Sequence, residues 1–209
     1  MVLLKKLAGI LILCLISFTG KTQTSSEKNV KAFQNSYINE ASGDYSSAIE
    51  NLKEIYSEDF YEVNLRLGYL CYMSGRFTES SAYYSHAVEL LPYSIEARFG
   101  YVLPLAAIGN YTAVLKQYEK ILEISPNNST ALHRIGLILY GRKNYTSAEK
   151  YFEKVVNLFP FDYDALTMLA WTKLKLNKTR EAKTLFYKAL LNTPSGSSAQ
   201  EGLELLINN

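Results

Sequence analysis

The stretch that decides the fold runs from Ser129 to Asp162 and reads STALHRIGLILYGRKNYTSAEKYFEKVVNLFPFD. Two apolar patterns of helical period flank a polar turn, Gly141-Arg142-Lys143-Asn144, and Pro160 closes the unit. In the first pattern Leu132, Ile135, Gly136 and Leu139 fall at i, i+3, i+4 and i+7, the stripe of a half-buried helix. Ala148, Phe152, Val155 and the nearby Leu158 form a second stripe. Gly136 and Ala148 are small where two helices joined by a short turn must approach closely. A proline just past the second helix stops it, because it lacks an amide hydrogen and disfavours helix in the residue before it.

The unit recurs. Pro92, Pro126, Pro160 and Pro194 stand 34 residues apart, and the turn positions Gly75, Gly109, Lys143 and Asn177 keep the same interval. A fixed period of this size with helix-turn-helix content marks an array of stacked units. On these residues the chain resembles the tetratricopeptide repeat (TPR) family. The resemblance implies an all-α fold, a right-handed α-solenoid of about five helix-turn-helix units with a C-terminal cap. The period lays the units out as 29–60, 61–94, 95–128, 129–162 and 163–196, the first two residues short. The second repeats the scheme with Leu67, Gly68, Ser80, Tyr84, Ala87 and Pro92, and the fifth with Leu169, Ala170, Ala182, Phe186, Ala189 and Pro194. The first has Phe60 where the proline belongs, and Asn35 and Ser36 in place of a Leu-Gly pair. The third departs at Arg98, Val102 and Val114, and Pro104 inside its first helix should cost the bond to the Gly100 carbonyl and kink the rod. In residues 197–209, Leu203 and Leu206 share a face beside Glu201 and Glu204, the pattern of a capping helix.

Residues 1–22 read as a secretory signal peptide: Lys5 and Lys6, an apolar run of twelve from Leu7 to Phe18, then small and polar residues. A membrane-spanning helix needs about 20 apolar residues, so the run reads as a leader. Small residues at Gly20 and Thr22 favour cleavage after Thr22, leaving 23–28 as a short linker. A lipid-bearing cysteine at Cys14 is the alternative, but Leu13 stands where that motif wants Gly, Ala or Ser. Without the leader Cys71 is the only cysteine, so no intramolecular disulfide can form. The chain carries a net charge of +2, and loss of Lys5, Lys6 and Lys21 leaves −1. That balance argues against nucleic acid, which demands a basic face. The expected location is the periplasm or the exterior of a bacterium.

No catalytic constellation is legible. His86 and His133 stand apart from each other and from Cys71, and no nucleophile elbow, P-loop or dinucleotide fingerprint occurs. Cofactors, metals and a small-molecule substrate are therefore not expected. Four Asn-x-Ser/Thr triplets begin at Asn110, Asn128, Asn144 and Asn177, all at predicted turns or boundaries. They read either as glycan acceptors or as asparagines chosen for turn geometry.

Tyrosine is abundant, seventeen in all. Tyr45, Tyr111 and Tyr145 recur just after the intra-repeat turn, placed to close the gap between two helices. At about 100° per residue, the face of each first helix opposite its core stripe carries Tyr37, Tyr69, Leu103, Leu137 and Trp171. Phe33, Leu65, Phe99, Tyr72 and Tyr140 stand beside them, with Arg66 and Arg134 at matching places two repeats apart. The resemblance implies that first helices line a concave groove, where His133 would be an ordinary polar residue. The candidate partner-binding set is therefore Tyr37, Arg66, Tyr69, Tyr72, Leu103, His133, Arg134, Leu137, Tyr140 and Trp171. Two readings of this row stand: packing at the repeat junctions, or an apolar recognition surface. The family's carboxylate clamp, built on Lys and Asn, is replaced here by Phe, Leu, His and Tyr. The expected function is a non-enzymatic exported scaffold holding a protein or extended peptide segment. The alternatives are a structural subunit of an envelope assembly working through its convex face or ends, and an accessory domain contacting glycans.

Overall fold

The computed structural model describes residues 25–207, and every regular element among them is an α-helix. The leader read in residues 1–22 lies outside this range. The helices are α1 (25–41), α2 (Tyr45–Lys53), α3 (Tyr61–Met73), α4 (Phe77–Leu90), α5 (Ile95–Ala107), α6 (Tyr111–Ile124), α7 (Ser129–Gly141), α8 (Tyr145–Leu158), α9 (Tyr163–Lys175), α10 (Thr179–Asn192) and α11 (Ser197–Ile207). The chain divides into two compact units, one ending at Pro92 and one beginning at Tyr93. Helix α1 starts within the stretch expected to be a linker. Glu27 in its first turn complements the positive end of the helix.

Local punctuation sets these boundaries. Helices α4, α6, α8 and α10 each end two residues before a proline. The residue preceding each proline leaves the helix: Leu91, Ser125, Phe159 and Thr193 have φ between −126° and −135° and ψ between 76° and 88°. These angles lie outside the helical region, which a following proline disfavours. Helix α2, whose unit lacks the proline, has only nine residues. The loop after it is held by Asn64 of α3, fully buried, whose Nδ2 donates to the carbonyls of Glu58 at 3.2 Å and Phe60 at 3.0 Å.

Among the described residues six helix starts carry a side-chain cap, whereas α3, α4 and α10 have none. Ser94, Asn128 and Asp162, two residues past their prolines, accept the backbone N–H of Ala97, Ala131 and Ala165. Asp44, Asn110 and Asn144 cap α2, α6 and α8 in the same way. Between the helices of each pair, Gly43, Gly75, Gly109, Lys143 and Asn177 all adopt positive φ, from 60° to 79°. Three of the four asparagine triplets thus begin on helix caps and the fourth on a left-handed turn residue.

In the first unit the core is Ile49 and Leu52 of α2 against Val63, Leu67, Leu70 and Cys71 of α3, all fully buried. Burial pushes the Cys71 thiol up to about 11, so it sits there as a small hydrophobe. In the second unit Phe152 fills the space above Gly136, where an added Cβ would stand 2.7 Å from the ring. Val102 and Val114 take the corresponding small positions of α5 and α6 and pack in one cluster with Leu105 and Ile121. Helix α5 runs on through Pro104 to Ala107. Buried Arg98, another departure, donates from Nη1 to Gln117 Oε1 at 2.9 Å. Helix α11 closes the end, with Ala199 and Leu203 buried against Leu166, Phe186 and Ala189.

Candidate functional site

The candidate residues sit on the first helices of the pairs, and none of the ten is fully buried. In the first unit the structure gathers three of them. The Arg66 guanidinium lies 4.0 Å from the Tyr37 ring centroid and 5.3 Å from that of Tyr69. It is ion-paired with Glu40 of α1. Burial, followed by the neighbouring Glu40, raises the Tyr69 hydroxyl pKa. Arg66 is therefore clamped between two aromatic faces with its charge offset. Tyr37, 54% exposed, is the part of this cluster most open to a partner. Glu40 was invisible to the sequence reading, because a contact across 26 residues between two helices leaves no periodic trace. Tyr72 turns toward the start of α4 and meets Phe77 at 5.7 Å.

In the second unit Leu103 is exposed, Leu137 and Tyr140 are half-buried, and Tyr140 meets Tyr145 edge-on at 5.2 Å. His133 meets Phe152 edge-on at 5.6 Å, and its Nε2 is buried with no hydrogen-bond partner among the described residues. Burial lowers its pKa first and Arg134 lowers it further, against Asp164 and Asp162, so the imidazole is neutral at neutral pH. Arg134 is exposed and forms no ion pair among the described residues. Both line a cleft of about 440 Å³ together with Val155, Phe159, Asp162 and Asp164. Neutral imidazole, guanidinium and carboxylates beside apolar side chains can bind a polar segment. The two matched arginines thus differ: Arg66 is ion-paired with Glu40, and Arg134 forms no ion pair among the described residues.

Trp171 serves the junction with the last helix. Its indole meets Phe186 at 5.2 Å, and Nε1 donates to Ser198 Oγ of α11 at 2.9 Å. At this position the packing reading of the row applies.

The geometry defines a class, an all-helical repeat protein whose paired helices present a ladder of side chains. Tetratricopeptide repeat models match residues 40–95, 129–162 and 163–195. The chain belongs to the tetratricopeptide repeat family. No curated protein matches it. Among solved structures it is similar to a tetratricopeptide repeat protein from Parabacteroides merdae, at 22% identity and TM-score 0.74, covering 86% of this chain and 72% of that one. It is also similar to MamA, at 18% identity and TM-score 0.71, covering 82% and 95%. YrrB, described as a TPR protein with an unusual peptide-binding site, is similar at 14% identity and TM-score 0.71, covering 90% and 97%. These likenesses establish the fold.

Proposed function

We propose that the protein is an exported, non-enzymatic scaffold that holds a protein or extended peptide segment against its first helices. The observation that carries the reading is the exposed part of the row. Leu103 and Arg134 are exposed on first helices outside the buried core, and Tyr37, although its ring stacks on Arg66, is 54% exposed. The peptide site of a similar structure supports the same use of the fold. Export rests on the leader pattern of residues 1–22.

The test is co-purification from the native envelope, with companions identified by mass, followed by titration of the retained partner. Tyr37→Ala, Leu103→Ala and Arg134→Ala are each expected to weaken binding by about 1–4 kcal/mol with melting temperature unchanged. Unchanged affinity in all three would overturn the reading. The alternative, a structural subunit using its outer helices, draws on Tyr187 and Leu191 of α10, which are 52% and 75% exposed. Partner loss confined to substitutions there would establish that alternative.

A further inference from the structure

In the second and fourth repeats an aromatic pair closes one end of the helix pair: Tyr72 with Phe77 at 5.7 Å, and Tyr140 with Tyr145 at 5.2 Å. The 34-residue register puts Ala106 and Tyr111 at these places in the third repeat. A methyl group cannot reach the tyrosine ring, and Tyr111 stands 52% exposed, with Ile108 at 50% close by in sequence. A cleft of about 610 Å³ lies beside Tyr111, lined by Gly109, Tyr111, Thr112, Leu137, Ile138 and Arg142 among others.

The charge around the cleft has one sign. None of its lining residues is acidic, and Arg142 and the adjacent Lys143 are exposed and form no ion pair among the described residues. The first turn of α6 also lacks an acidic residue, so its amide end keeps its partial positive charge. An apolar hollow with a positive rim fits an apolar side chain that has a carboxylate beside it. We propose that this cleft is a specificity pocket of the binding surface, receiving a bulky apolar side chain of the bound segment while Arg142 and Lys143 meet an acidic residue next to it. The proposal rests on the scaffold reading and shares only Leu137 with the candidate row.

NMR of the isotope-labelled protein tests it, using the peptide acetyl-Gly-Ser-Phe-Glu-Glu-Gly-amide as probe. The controls replace Phe with Ala, or both Glu with Lys. The amides of Gly109, Thr112, Ile138 and Gly141 are expected to shift saturably, with each control at least about tenfold weaker, or 1.4 kcal/mol. Ala106→Tyr supplies the missing aromatic and is expected to abolish the shifts. Arg142→Glu, at an exposed position, is expected to turn the preference toward the lysine peptide. No shifts, equal shifts with all three peptides, or undiminished binding in both variants would overturn the pocket. Shifts centred on Leu103 and Arg134 alone would overturn the pocket and leave the scaffold reading standing. Saturable binding here, with a native partner indifferent to Tyr37, Leu103 and Arg134, would keep the pocket and remove the wider groove.

Discussion

Gly75 and Gly68 lie seven residues apart in the first unit and are glycine for unrelated reasons. Gly75 has φ +77° with open space where a Cβ would stand, so its reason is backbone conformation alone. Gly68 is helical, and a Cβ there would sit 2.8 Å from the buried Tyr84 ring, so its reason is packing. Gly75→Ala is expected to cost about 1 kcal/mol, the left-handed penalty of an ordinary residue. Gly68→Ala is expected to cost about 1–3 kcal/mol through overpacking. Denaturant unfolding of the asparagine variants separates the causes. Gly75→Asn should recover most of the loss, since asparagine tolerates positive φ, as Asn177 does at +60°. Gly68→Asn should be worse than Gly68→Ala. Equal behaviour of the two sites would refute the assignment. Both positions were legible in the sequence through their register. That lysine occupies the left-handed turn position of the fourth repeat shows how small the penalty is against the packing around it.

Between elements, the sequence reading was silent on a charge network centred on the buried pair Lys173 and Glu149. Lys173 of α9, 7% exposed, reaches Glu149 of α8 at 2.6 Å, Glu153 at 2.8 Å and Glu181 of α10 at 2.8 Å. Lys178 adds a second cation to Glu149 at 2.7 Å. The partners are separated by up to 29 residues and follow no apolar period, whereas caps and prolines announce themselves locally. Helix spans were therefore readable and these ties were not. Burial pushes the Glu149 carboxyl up, but hydrogen bonds from Lys173 and Lys178 outweigh it and hold the group below its ordinary 4.5. Burial likewise lowers Lys173, and its three carboxylates outweigh that and raise it. A depressed carboxyl contributes stability that is complete above 4.5 and is lost as pH falls through its folded value. The raised lysine contributes fully below its ordinary 10.5, so the acid range isolates the glutamate. Glu149→Gln is expected to destabilise the second unit by about 3 kcal/mol at neutral pH. The gap between the unfolding free energies of the two proteins, measured down to about pH 3, should narrow steadily once pH falls below the ordinary carboxyl value. A constant gap across that range would rule out a charge-based role for Glu149.

For the whole chain, one period accounts for helix order, the turns and the terminators, because each unit repeats the same local chemistry. The row opposite the core was legible as a face, but not the fate of its members. Arg66 is consumed by Glu40 and Trp171 by α11 through contacts 26 and 27 residues distant. Cys71, the one cysteine beyond residues 1–22, is buried and its thiol is raised to about 11, so it offers no reactive thiolate and is compatible with the proposed export. The twelve-residue apolar run after Lys5 and Lys6 is too short to span and is followed by Gly20 and Thr22. The expected product is a soluble form starting near Gln23, found in the envelope fraction of cells expressing the native gene. Intact mass decides between the three chemistries open to this terminus. Loss of residues 1–22 supports the leader, a retained N-terminus makes it an anchor, and a lipid-sized increment on a chain starting at Cys14 makes it a lipoprotein. Either of the other two outcomes would overturn cleavage after Thr22 and the soluble product, because the chain would then stay tied to the membrane.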